Sequence, residues 1–286
     1  MTNKIPTQPT PHACRRATPA AARAAGAAHA AHAALAAAAV LIGTAAVAQS
    51  AGGDLPSVTP YRPSVSTPAA LSAPGWLEIE AGALHERGSG STRGDSLPYT
   101  LKLAVTPDWG VRLGGDAWVR QTDAGGQRLS GLGDSSIVLK RRFELNDASA
   151  LGLEAGATLT TGRRGIGSSK SDYSVTGIYS ADLGDWHTDL NLGSTRIGAP
   201  DAGTRRTQTL WAASLSTALT ERWGVVGELS GTRQGGVDST RQFLFAASYN
   251  LSKSLTLDAG LARSLRSGAP EWSVFTGFTL LGPRLF

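Results

Sequence analysis

The sequence predicts an all-β chain that folds as a transmembrane antiparallel up-and-down β-barrel of about twelve strands. Three observations carry this. Beyond Gly75, apolar and polar residues alternate with a period of two and no stretch shows helical periodicity. The intervals between strand starts alternate long and short along the chain. Most tryptophans fall at strand ends, where a membrane protein meets its interfaces.

The front of the chain is separate from this pattern. Residues 1–23 are polar and carry Lys4, Arg15, Arg16 and Arg23, and no acidic residue precedes Asp54. These four bases account for most of the formal net charge of +5, so the remainder is nearly neutral and no nucleic-acid partner is expected. Ala33 to Ala48 is an apolar, alanine-rich run ending in Ala46-Val47-Ala48, the small-x-small pattern of a signal peptidase site. We therefore expect residues 1–48 to be a cleaved signal peptide. The apolar run is shorter than the roughly 20 residues that a membrane helix needs. Residues 49–74 contain Pro56, Pro60, Pro63, Pro68 and Pro74 and read as a periplasmic linker or a lumen plug. Residues 75–286 form the barrel.

Cys14 is the single cysteine, and of five histidines only His85 and His187 lie beyond the front segment. There is no intrachain disulfide and no cysteine cluster, and two histidines are too few for a histidine-built metal site. No metal and no cofactor are expected.

The clearest strands are LPYTLKLAVT (97–106), GVRLGGDAWVR (110–120), LGLEAGATLT (151–160) and LTLDAGLA (255–262). In each, nearly every second residue is apolar and most of the others are polar or glycine. The same reading gives strand starts near Trp76, Leu97, Gly110, Leu132, Ala150, Asp172, Trp186, Thr207, Trp223, Thr240, Leu255 and Glu271. Short turns fall near Pro107, Asn146, Leu183, Glu221 and Ser252. Longer loops centre on residues 88–96, 123–131, 162–171, 197–206, 233–239 and 265–270. Short periplasmic turns opposite longer external loops are the pattern of outer-membrane barrels. Pro98, Pro107, Pro200 and Pro270 all avoid strand interiors, as ladder hydrogen bonding requires.

The alternation sorts side chains into two faces. The lumen-facing candidates are Lys102, Arg112, Asp116, Arg120, Asp134, Lys140, Arg142, Glu154, His187, Asp189, Glu228 and Asp258, with Glu78 and Glu80 beside them. Both signs are present in similar numbers, so no single-sign ion filter is expected. Trp76, Trp109, Trp186, Trp223 and Trp272 are the expected interface aromatics; Trp118 and Trp211 fit this less well. Ile178 falls on the polar side, and Arg141 must snorkel from the apolar side. The segment 271–280 accepts either register. His187 with Asp189 is the one base–carboxylate pair that could suggest catalysis, but it lacks a placed nucleophile and faces away from lipid. No enzyme activity is expected.

GLGDSSIVLKRRF (131–143), LGLEAGATLTTG (151–162) and GIGSSKSDYSVTGIYSADLGDWHTDLNLGST (165–195) resemble the outer-membrane transporter family of the meta-pathway of phenol degradation. There a Gly-x-Gly-Asp precedes a strand ending in a basic-aromatic pair, and a Gly-Ser-rich external loop follows the next strand. In that pattern a Pro-Thr-Gly closes the strand before this loop; Thr160 stands in place of its Pro, and the terminus LLGPRLF interrupts the alternation before Phe286. The resemblance implies an outer-membrane β-barrel passing small aromatic or apolar compounds.

The expected function is passive uptake of such solutes across a Gram-negative outer membrane, with outer-membrane lipids and the barrel-assembly machinery as partners. The alternatives are a structural or adhesive barrel acting through its external loops, or a lipid-modifying barrel enzyme.

Overall fold

The structure, a computed structural model, describes residues 55–88, 91–266 and 270–286. The expected signal peptide (1–48) and the start of the 49–74 segment lie outside the described residues. The strands run in order β1 (Trp76–Arg87), β2 (Arg93–Ala104), β3 (Trp109–Thr122), β4 (Arg128–Gly131), β5 (Ser135–Asn146), β6 (Ser149–Leu159) and β7 (Tyr173–Leu183). They continue as β8 (Trp186–Arg196), β9 (Thr207–Ala218), β10 (Trp223–Gln234), β11 (Val237–Ser252), β12 (Leu255–Ser264) and β13 (Trp272–Arg284).

Twelve of these form a closed antiparallel wall, since β1 pairs with both β2 and β13 and the others pair in sequence. Closure leaves no edge strand, as a sheet in hydrocarbon requires. The thirteenth, β4, is a four-residue strand that pairs only with the upper end of β3 and lies in the loop before β5. Two loops differ from expectation. The first is short, because β2 begins at Arg93 rather than Leu97. The segment 233–239 is a tight hairpin at Gly235-Gly236, where Gly236 takes φ +84°, a conformation that side chains oppose.

Alternation decides which side chains meet lipid. Leu139, Leu151, Leu153, Val175, Leu192, Phe243, Phe245 and Leu261 all face outward, Leu192 with 69% of its surface exposed. So broad an apolar surface is unstable in water and suits the hydrocarbon of a bilayer. Arg141 shares this face and folds its guanidinium onto the rings of Trp109 (4.9 Å) and Phe143 (4.7 Å), the snorkelling its position demands.

Two bulges resolve the irregular places. Between Trp76 and Glu78 the register with β13 shifts, so Gly282 and Pro283 lie opposite Leu77. Pro283 thus occupies a bulge, where its missing N–H costs no ladder bond, and β13 continues to Arg284. The second bulge lies between Ser96 and Pro98, opposite β3. It reverses the alternation in the upper end of β3.

Candidate functional site

The described part of the proline-rich segment, residues 55–74, runs inside the barrel. Prolines suit it to this place. Its backbone is irregular, turning at Arg62-Pro63, and touches the wall backbone only at Val58 and at a bridge from Pro74 to Ala104, so most of its N–H and C=O groups must find side chains on the wall.

They do so mainly through charged residues. The N–H of Thr59 donates to Glu78 (3.1 Å) and that of Tyr61 to Glu80 (2.7 Å). Ser66 donates from its N–H and its hydroxyl to Glu228 Oε2, both at 2.8 Å. Thr67 exchanges hydrogen bonds with Asn191 (2.8 and 3.0 Å), and the Ala69 N–H donates to Ser180 Oγ (2.7 Å). Arg62 forms a two-pronged pair with Asp258 (3.1 and 3.2 Å). Its guanidinium lies flat on Gly82 and Gly277, facing residues of β1 and β13, where a Cβ atom would come within 2.6 Å of it.

Tyr61 is the centre of the segment. Lys102 Nζ stands 4.1 Å and Lys140 Nζ 4.3 Å from its ring centroid, on different strands. Its hydroxyl donates to the Ala70 carbonyl (2.7 Å) and accepts from Lys140 Nζ (3.1 Å). Burial, with Glu154 nearby, pushes the phenol well above its usual pKa, so it remains a neutral donor. Lys102 is bound by Glu78 Oε2 (3.0 Å) and Glu80 Oε1 (2.6 Å) and donates to the Thr59 carbonyl. Lys140 pairs with Glu154 (3.4 Å), donates to the Pro68 carbonyl, and shares Glu154 with Arg112 (3.2 Å). Glu78 is 0% and Lys102 3% exposed, so each charge depends on its partners.

The fit is lopsided. Between the segment and Lys102, Arg112, Lys140 and Glu154, the residual space is about 10 Å³, at the threshold for one water. On the opposite side a cavity of about 1020 Å³ runs from the turn-side mouth along β8 to β11. Ser66, His187, Ser214, Ser216, Val226 and Ser248 are among its lining. His187 lies between Asp182 (2.6 Å) and Asp189 (3.2 Å), and Asp189 accepts in addition from Ser180.

An apolar group also faces inward. Val226, Leu244, Ala246, Ala262 and Phe275 form one buried cluster with Leu84 packed on it. Glu228 pairs directly across the sheet with Leu244, and its Oε1 has no hydrogen-bond partner among the described residues; Ser230 Oγ is likewise unpartnered. Sequence alternation places these apolar residues on the inner face, yet a count of lumen charges passes over them. Ile178 is inward for a different reason: it is packed against Ala69 of the inner segment and Ala150.

The structure brings together Lys102, Arg112, Lys140, Glu154, Asp189, Glu228 and Asp258 around that segment. Arg142 lies on the same face near the turn end and pairs with Glu144 (2.8 Å). Asp116 lies near the loop end, packed against Gly133. Two residues differ from expectation. Arg120 faces outward, because the Ser96–Pro98 bulge reverses its strand, and it pairs with Asp95 (2.8 Å), which also binds His85. The same reversal turns Trp118 outward beneath the Arg120 guanidinium, 5.5 Å away. Asp134 fastens a loop rather than lining the lumen: it accepts from the N–H groups of Gly162 (2.9 Å) and Ser168 (2.5 Å). Asp134→Ala removes both charge-assisted bonds, a loss of about 1.5–3 kcal/mol each. Tryptic cleavage at Arg163 and Arg164 of the folded variant is expected to accelerate at least several-fold, which limited proteolysis measures.

Trp76, Trp109, Trp186 and Trp223 begin β1, β3, β8 and β10 at the turn end, and Trp272 begins β13 at the loop end. Trp223 packs against Tyr249 at 4.8 Å between ring centroids.

The barrel is shared by solved membrane proteins. An outer membrane channel from Pseudomonas putida F1 superposes with a TM-score of 0.59 at 15% identity, covering 78% of this chain and 99% of that one. A porin, NanC, gives 0.52 at 10% identity, covering 71% and 98%. The KdgM porin gives 0.50 at 12% identity with the same coverage. At these identities the likeness concerns the fold. No curated protein sequence matches the chain. A family model does, over residues 108–281, from the turn before β3 into β13. On that match the chain belongs to the family described as Putative MetA-pathway of phenol degradation.

Proposed function

We propose that the protein is a passive outer-membrane channel for small aromatic or hydrophobic compounds, with residues 55–74 as its plug. The observation that carries this is the inward apolar cluster of Val226, Leu244, Ala246, Ala262 and Phe275, the larger of two such clusters in a lumen lined mostly by polar and charged side chains. A barrel that only needed filling could use ion pairs throughout, as it does around Tyr61. Where the plug withdraws Ser66 from Glu228, this apolar patch beside a carboxylate offers a stacking surface and a hydrogen-bond acceptor to one small solute. The family description and the channel and porin neighbours agree with this reading. In it, residues 1–48 direct export, the turn end faces the periplasm, and the charged residues around the plug hold it closed rather than select ions. A second reading as a surface adhesin has no particular observation in its favour.

Planar-bilayer recordings of the refolded protein test the proposal. Phenols and small aromatic acids are expected to shorten openings where sugars of similar size do not. Leu244→Gln is expected to weaken that block. A folded barrel, identified by its heat-shifted gel mobility, whose openings ignore every aromatic compound would overturn it.

A further inference from the structure

The outer surface carries a row of arginines at one end of one side. Arg233 on β10, Arg241 on β11, Arg263 on β12, Arg87 on β1 and Arg93 on β2 all occupy the loop ends of adjacent strands. Each shares the outward alternation of its strand: Arg241 with Phe243 and Phe245, Arg263 with Leu261, Arg233 with Leu229. On β13, Trp272 is the cross-strand partner of both Arg87 and Arg263, so an indole interrupts the row at its centre. All five arginines are exposed, and among the described residues none forms an ion pair. The neighbouring Arg120 is already satisfied by Asp95.

Two features make this more than a solvated rim. Arg87 and Arg93 are direct cross-strand partners, a placement of like charges that destabilises a sheet unless an anion sits between them. The row is also confined to one place. The turn ends of the same strands carry Arg222, Lys253 and Arg284 instead, and there Arg222 donates to the Tyr249 hydroxyl (3.3 Å) and Arg284 to the Phe286 carbonyl (2.8 Å). Among the strand residues of the far side, β5 to β9, the outward loop end carries only Arg196.

We propose that this row is a binding site for the phosphorylated headgroup of a lipid in the outer leaflet. The inference rests on the reading above that the loop end faces outside. Immediately below the arginines lie Phe243, Phe245, Leu261 and Val274, a surface that acyl chains cover. Guanidinium groups extended from that level reach the headgroups, and their planar forks take phosphate oxygens in pairs. Trp272 marks the same interface. Strands stand about 4.8 Å apart, so the five steps from β10 to β2 span roughly 24 Å, enough for a headgroup bearing two phosphates. A soluble acidic partner would have no use for the apolar band beneath.

The full-length mature protein is refolded in vesicles containing a bisphosphorylated lipid A or its dephosphorylated form, extracted into detergent, and its bound lipid measured by mass spectrometry. The phosphorylated lipid is expected to remain bound and the dephosphorylated one to wash away. In Arg87→Gln/Arg93→Gln, retention falls at least tenfold, whereas Arg196→Gln retains it. Should that double variant not fold, Arg241→Gln/Arg263→Gln tests the other end of the row. Equal retention of both lipids, or unchanged retention in the folded variants, would each overturn the proposal. Bound lipid is read independently of conductance, so this result and the channel reading fail separately.

Discussion

Deleting Leu55 to Ala70 is expected to convert brief openings into a steady ion current while leaving the barrel folded. The wall closes through its own ladders, β1 to β13 included, and none of those bonds involves the plug. Removal exposes Glu78, Glu80, Lys102, Lys140, Glu154, Glu228 and Asp258 to water, which hydrates charges that the plug now satisfies. Small barrels are filled by side chains whereas large ones hold a channel, so emptying a twelve-strand lumen is expected to raise mean conductance roughly tenfold or more. Single-channel recording measures it, with heat-shifted gel mobility as the check on folding. A current no larger than that of the intact chain would mean that the wall side chains close the lumen by themselves.

Lys102→Met is expected to loosen the same plug without deleting it. Lys102 neutralises Glu78 and Glu80, donates to the Thr59 carbonyl and lies over the Tyr61 ring, all in a nearly dry space. Removing one partner from such a buried group typically costs about 3–5 kcal/mol, because the opposite charge stays behind. Most of that loss falls on the plugged state, since an open lumen hydrates both carboxylates. The open fraction should rise by a factor of at least about a hundred, at roughly tenfold per 1.4 kcal/mol. Lys102→Met/Glu80→Gln restores much of the closed state, because it removes one of the two uncompensated charges. If open probability in the single variant equals that of the parent, the ion pairs do not hold the plug.

The sequence was legible where chemistry is local. Period-2 alternation assigns Lys102, Lys140 and Glu154 to one face and Leu101, Leu139 and Leu153 to the other, and the wall follows that assignment. It was illegible where one extra residue enters a strand. The bulge opposite Leu97 reverses every later residue of β3, and from the sequence it cannot be told apart from continued alternation; Arg120 and Trp118 change faces for that reason. Asp134 illustrates a second limit. A carboxylate beside glycines can face a lumen or cap a neighbouring loop, and only the approach of Gly162 and Ser168 decides between them.

The proline-rich segment marks the boundary most clearly. Its composition predicts a segment outside the strands of the wall, because proline lacks the N–H and fixes φ. Whether it trails away or turns back depends on contacts with Glu78, Glu228 and Asp258, which lie as far as 196 residues along the chain. The sequence by itself determined the wall strands, their two faces except beyond the bulge in β3, and the closed sheet, since these rest on alternation and on neighbours joined by short turns. Tertiary structure alone decided what fills the lumen, because a buried charge is stable only beside partners that the chain's local pattern does not name.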